Sequence, residues 1–173
     1  ISMMAQVDSH RIESGWLDDE EIIRVNNQGS KLKKIPLHII SKGGITVSQV
    51  SRMTEQWKRK NIQSVVVDYL QLMKPASRNG NRVTEVSEIA RGLKEIAMKL
   101  EIPVITAAQL NRQIEGAERT PRLSDIRECG EIENSADIVA ALNDPDSKSD
   151  RNKSREIELH MLKVRGGKLG VVR

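Results

Sequence analysis

The chain holds no phenylalanine, one tyrosine and two tryptophans in 173 residues, so its core must be aliphatic. Trp16, Trp57 and Tyr69 are too few and too dispersed to form an aromatic platform for stacked bases. A nucleic-acid ligand would therefore be held by its phosphate backbone. A lone cysteine, Cys129, excludes an internal disulfide and a thiolate metal cluster, and suits a reducing compartment. His10, His38 and His160 lie too far apart to form a metal-ligand motif. No apolar run approaches the roughly 20 residues that span a bilayer, and no signal-peptide pattern is present, so the expectation is a soluble, cytoplasmic protein without membrane association. A large charge of one sign is also missing. The 28 Lys+Arg against 24 Asp+Glu leave +4, a mild tilt toward polyanionic partners that selects none of them.

The length is that of one domain, and neither an internal repeat nor a low-complexity segment divides it. Both ends read as interior stretches, Ile1-Ser2-Met3-Met4 as the middle of a helix and Gly170-Val171-Val172-Arg173 as part of a strand. Residues 1–173 are thus expected to form a single domain that is incomplete at both ends. Residues 3–25 suit helix, with Gly15 interrupting and Asp18-Asp19-Glu20-Glu21 supplying acid to a second helix's first turn. Ile35-Pro36-Leu37-His38-Ile39-Ile40 reads as a short buried strand. After Gly43-Gly44, Thr46 or Ser48 can cap a helix whose face carries Val47, Val50, Met53 and Trp57.

The most informative stretch follows. Ser64 to Leu72 and Ile102 to Leu110 are apolar, strand-like runs, each interrupted near its end by one polar group, Asp68 and Gln109. Between them Val86, Ile89, Ala90, Leu93, Ile96, Ala97 and Leu100 recur at helical spacing. This is a β-α-β unit, and ligands of such units sit at the carboxyl ends of the parallel strands. A carboxylate there needs a cation or hydrogen-bond donors to offset its desolvation, which makes Asp68 a candidate for holding Mg²⁺ through its waters. Further on, residues 112–122 read as a loop, residues 124–135 as a short helix or turn, and residues 137–142 as a strand. Residues 143–154 suit a solvated loop, and residues 155–164 and 168–172 two strands of a hairpin around Gly166-Gly167. The fold class is α/β, with a largely parallel central sheet flanked by helices and an antiparallel C-terminal edge hairpin.

Five segments in order resemble one family. They are Val66-Val67-Asp68-Tyr69-Leu70-Gln71-Leu72; Glu88-Ile89-Ala90-Arg91-Gly92-Leu93-Lys94; Pro103-Val104-Ile105 with Gln109-Leu110-Asn111-Arg112; Ser124 to Glu133 with Ala136-Asp137-Ile138-Val139; and Lys163-Val164-Arg165 before glycines. Together they resemble the RecA-like ATPase domain of DnaB-type replicative DNA helicases over nearly the whole chain. Cys129 stands where that family usually has Ser, and Lys168 where Pro is common.

The resemblance implies an ATP-driven helicase with ATP and Mg²⁺ as cofactors. Asp68 matches the Walker B aspartate and Gln109 the glutamine that senses the γ-phosphate. Lys163 and Arg165 match the cations that reach a neighbouring subunit's ATP, so the candidate catalytic and nucleotide-binding set is Asp68, Gln109, Lys163 and Arg165. Arg127, Glu128 and Gly130 match a loop on single-stranded DNA inside a homo-hexamer, and Arg112 and Arg78 are further candidate DNA contacts. Primase and a helicase loader are implied partners, and the source is bacterial, phage or plasmid. The phosphate cradle G-x-x-x-x-G-K-[ST] is missing, since Gly167-Lys168 runs into Leu169 and Gly43-Gly44 into Ile45. The family's catalytic glutamate falls just before Ile1. The chain alone is accordingly expected to bind ATP poorly and to be inactive. Two alternatives stay open: a non-catalytic RecA-like assembly or loader-binding module, and a recombinase-like ATPase of the same superfamily.

Overall fold

Acidic residues open the first long helix as the sequence suggests. In the computed structural model, which describes residues 1–76, 80–111, 119–126, 130–144 and 157–172, the chain divides into two compact units, Ile1–Ser41 and Lys42–Arg173. The first carries α1 (Ser2–Ala5), α2 (Ser9–Ser14) and α3 (Asp19–Leu32). Gly15, at φ +75°, ends α2 in a left-handed cap that glycine adopts without a Cβ clash. Asp18 caps α3, accepting from the Glu21 N–H while the Glu21 carboxylate accepts from the Asp18 N–H. Arg11 then pairs with Glu21 at 2.7 Å and ties α2 to the cap.

Residues 35–40 do not form the expected buried strand. They run irregularly, with Ile35, Leu37, Ile39 and Ile40 exposed, and the Leu37 N–H turns back to the Ile35 carbonyl across Pro36. An apolar run shows that a segment suits burial, but a strand also needs a neighbouring strand for its N–H and C=O groups, and no strand ladder or bridge among the described residues includes this one.

In the second unit Thr46 caps α4 (Val47–Lys58) in a reciprocal pair with Gln49. Strand β1 (Val65–Val67) follows and ends earlier than the apolar run suggests, because Leu70–Leu72 wind into a 3-10 turn that drives Leu70 and Met73 into the core. Helix α5 (Arg82–Leu100) carries the chain back to β2 (Val104–Thr106). The two strands pair in parallel, Val65 opposite Val104 through Val67 opposite Thr106. After a second 3-10 turn at Leu123–Asp125 come α6 (Gly130–Ser135), β3 (Ile138–Asn143), β4 (Glu158–Val164) and β5 (Gly170–Val172). The last three form a separate antiparallel sheet in the order β3-β4-β5. The α/β class thus holds, with a parallel pair beside helices and the antiparallel hairpin joined by β3. No described helix is long and apolar enough to cross a membrane.

The stripe read from the sequence is the spine of the core. Val86, Ile89, Leu93, Ile96 and Leu100 are all buried on α5, against Val50 of α4, Val67 of β1 and Ile102. Burying each such side chain contributes about 1.5–3 kcal/mol, more than helix propensity alone can supply. Helices α4 and α5 meet at Gly92, where an added Cβ would lie 2.6 Å from Cγ1 of Val47. The branched Val47 side chain is stiff and cannot swing aside.

Gly92→Ala should therefore lower stability. Its gain in helix propensity, about 1 kcal/mol, is smaller than the usual overpacking cost of about 1–3 kcal/mol. Adding Val47→Ala should recover part of the loss, measurable as a shift in the urea midpoint; equal midpoints for Gly92→Ala and the wild type would show that the helices are free to separate.

Candidate functional site

The parallel pair sets the geometry at its carboxyl end. Beyond β2 the Ala107 N–H donates to the Val67 carbonyl at 3.1 Å, and the Leu70 N–H returns to the Ala107 carbonyl at 3.0 Å. These bonds continue the pairing just far enough to hold the two chain segments together as they leave the sheet. Asp68 and Gln109, both exposed, then open onto one cavity of about 300 Å³ lined also by Tyr69, Ala107 and Ala108. The two groups singled out from the sequence are therefore on the same side of the same pair of strands.

The donor set fits a hydrated hard cation. Among the described residues no group of three or more His, Cys, Asp or Glu converges on a common point. One exposed carboxylate is what Mg²⁺ needs when it keeps most of its waters and shares its other ligands with a phosphate chain.

Lys163 and Arg165 are not among the residues lining this cavity. Lys163 lies in β4 opposite Val139, and its ammonium donates to the carbonyls of Glu133 and Asn134 at the end of α6. A cation at a helix C-terminus meets the negative end of the helix dipole. Arg165 follows β4 directly; its N–H donates to the Asp137 carbonyl at 2.8 Å and its guanidinium pairs with the Asp137 carboxylate at 3.1 Å. Both cations thus reach the short segment 133–137.

Asp137 also accepts from Lys94 on α5. That hydrogen bond, with the positive charges of Lys94, Arg165 and Lys163, holds the Asp137 carboxyl below the usual carboxylate range. The pairing of Asp137 with Lys94 does not stand out in the sequence, because 43 residues separate the two and nothing local signals the contact. Arg91, a conceivable partner for Asp68, pairs instead with Glu131 at 3.4 Å.

Of the candidate DNA contacts only Gly130, the first residue of α6, is placed; Arg78, Arg112, Arg127 and Glu128 lie outside the described residues. The segment leading toward Gly130 is tied to the end of β2. Leu110 bridges to Ile126, and the Asn111 N–H donates to the Asp125 carbonyl at 2.7 Å. The Asp125 side chain is buried and grips its surroundings: Arg119 donates to both of its oxygens at 2.7 Å and the Arg122 N–H adds a third bond at 2.7 Å.

Those bonds, Arg119 foremost, pull the Asp125 carboxyl down to about 2 despite its burial. A folded-state value below the unfolded one means the stabilisation is complete above about pH 4 and disappears as the pH falls toward 2. Asp125→Asn should cost about 2 kcal/mol at pH 7. Urea unfolding of both forms at several pH values should show the gap constant from pH 7 to about 5 and closing toward pH 2. A gap that stayed constant throughout would mean that the carboxylate charge is not what Arg119 holds.

Comparison with known proteins identifies the family. The family model for the DnaB-like helicase C terminal domain matches residues 1–173. The replicative DNA helicase DnaB of Rickettsia felis is 40% identical over 141 residues, 80% of this chain and 28% of that protein. Its counterpart from Mycobacterium leprae is 37% identical over 171 residues, 96% of this chain and again 28% of the relative. The chain therefore spans little more than a quarter of the length of these relatives. Among solved structures, a DnaB-like replicative helicase described with its primase interactions superimposes with a TM-score of 0.89 at 32% identity, over 98% of this chain and 42% of that one. A second solved structure, an ATPase domain, gives 0.88 at 32% identity, over 98% of this chain and 62% of that one. On sequence and on RecA-like fold alike, the chain belongs to the DnaB-like helicase C-terminal domain family.

Proposed function

We propose that this chain is part of the motor domain of an ATP-dependent replicative DNA helicase that works as a hexameric ring on single-stranded DNA. What carries the reading is the meeting of Asp68 and Gln109 on one cavity at the end of a parallel strand pair, in a chain of this family. Asp68 would hold Mg²⁺ through water, and Gln109 would contact the γ-phosphate. A metal held there would supply neutralisation of charge on phosphate oxygens. The chain's own residues supply position: the strand pair fixes carboxylate and amide side by side, and the protein dipoles around them replace water. Both units, residues 1–173, belong to one incomplete ATPase domain in this reading.

Lys163 and Arg165 would complete the site of the next subunit. In the chain by itself Arg165 rests on Asp137, both groups being at least half exposed. Such an exposed pair contributes about 0–1 kcal/mol, so the guanidinium can exchange Asp137 for a phosphate at small cost. The planar fork of Arg165 then meets phosphoryl oxygens bidentately, while Lys163 adds a point charge. Arg127, Glu128, Gly130, Arg112 and Arg78 would face single-stranded DNA in the channel, with primase and a loader as further partners of the bacterial, phage or plasmid cytoplasm. Without the Gly-rich phosphate cradle the isolated chain should be inactive, because that loop supplies most of the N–H groups that grip a nucleotide.

Mixed rings of the full-length protein test the assignment. Arg165→Ala subunits doped into wild-type rings should lower hydrolysis at neighbouring intact sites, by roughly 10³-fold per affected site if Arg165 acts as such cations do elsewhere. Loss confined to each variant's own site would refute completion in trans. Binding to single-stranded DNA should be independent of sequence and weaken linearly in log K against log salt; affinity unchanged from low to high salt would remove backbone phosphates as the target.

A further inference from the structure

Gln71 lies inside the motif around Asp68, and nothing in the proposed chemistry uses it. The two strands part after Val67 and Thr106, where the backbone of the Asp68 side turns away into the 3-10 turn Leu70–Leu72. Backbone pairing ends with the Leu70 N–H on the Ala107 carbonyl. Two residues further on, the ladder is continued by a side chain: the Gln109 N–H donates to Oε1 of Gln71 at 3.3 Å. The Gln71 carbonyl is in turn held by the guanidinium of Arg82, the first residue of α5. Gln71 thus stands anchored to the long helix on one side and holds the backbone of Gln109 on the other.

Its amide carries a second sign. Nε2 is sealed from solvent and has no acceptor among the described residues. A buried, unmet donor is destabilising, and an apolar side chain of the same size would avoid the cost. The N–H that Oε1 receives belongs to an exposed residue and would find water if Gln71 were gone. Folding stability alone therefore favours leucine or methionine at this position.

We infer that Gln71 is a positioning residue for Gln109: its side-chain amide replaces the missing rung between the two strands and sets where the Gln109 side chain meets the phosphate end of a bound nucleotide. The inference rests on the reading of Gln109 as the group that contacts the γ-phosphate. It assigns to Gln71 no contact with nucleotide, so its removal changes turnover rather than nucleotide affinity.

The test is a double-mutant cycle in the full-length protein, read by ATP hydrolysis with and without single-stranded DNA and by thermal unfolding. Gln71→Leu should leave Tm unchanged or raised and KM for ATP within about twofold, while DNA-stimulated kcat falls roughly two- to tenfold, the worth of one hydrogen bond. In a Gln109→Ala background the same change should cost nothing further, because the group it positions is gone. Gln71→Met, an unbranched alternative, carries the same expectations should the leucine form fail to fold. Unchanged kcat, or an equal loss in both backgrounds, overturns the inference. If Gln109→Ala itself leaves hydrolysis intact, the sensor reading fails first, and this one with it.

Discussion

Three residues of parallel pairing hold the candidate chemistry together. Val65 to Val67 against Val104 to Thr106 is a short ladder, and taken alone it would be marginal. It persists because α5 lies across it with five buried aliphatic side chains, and because Leu70 and Met73 turn back into the same core. Position at the mouth of the strands is therefore set from behind, by packing, while the mouth itself stays polar and open. Asp68 and Gln109 can be exposed and still be held relative to each other, since the strands, and the Gln71 side chain that prolongs their pairing, carry the backbone beneath them.

The cations around this framework fall into two energetic classes. Arg119 makes a bidentate grip on the buried Asp125 carboxylate, lowers it to about 2 and locks a turn. Arg165 on Asp137 is exposed, shares its carboxylate with Lys94, and is held lightly. The difference follows from desolvation: a carboxylate removed from water depends on its partner, whereas a solvated one loses little when the partner leaves. Rigid and exchangeable ion pairs thus occur within the same unit, and the second kind is the one compatible with the proposed role of Arg165.

Periodicity made the helical half of the fold readable. The α5 stripe and the face of α4 need only local spacing, and the caps at Asp18 and Thr46 need only four consecutive residues. Strand ends were harder to read. An apolar run from Ser64 to Leu72 hides the point at which strand becomes turn, since both bury apolar side chains, and the apolar stretch 35–40 suggested a strand that joins no described ladder. The common location of Asp68 and Gln109 was legible because each follows one of two apolar runs that a helix joins in parallel. Gln71 was not, being one more polar residue beside a motif, and its link to Gln109 spans 38 positions. The ties from Asp137 to Lys94 and Arg165 are likewise products of folding that no local pattern announces.

Parallel strands are usually covered on both faces. Here Val66 and Ile105 turn away from α5 and are 68% and 57% exposed, while Ile138 and Leu142 on β3 are 61% and 70% exposed. Flat, branched and uncharged surfaces of this kind attract one another in water. In solution such a polypeptide would be colloidally fragile, clumping as its concentration rises and calling for detergent or a solubilising fusion tag during purification.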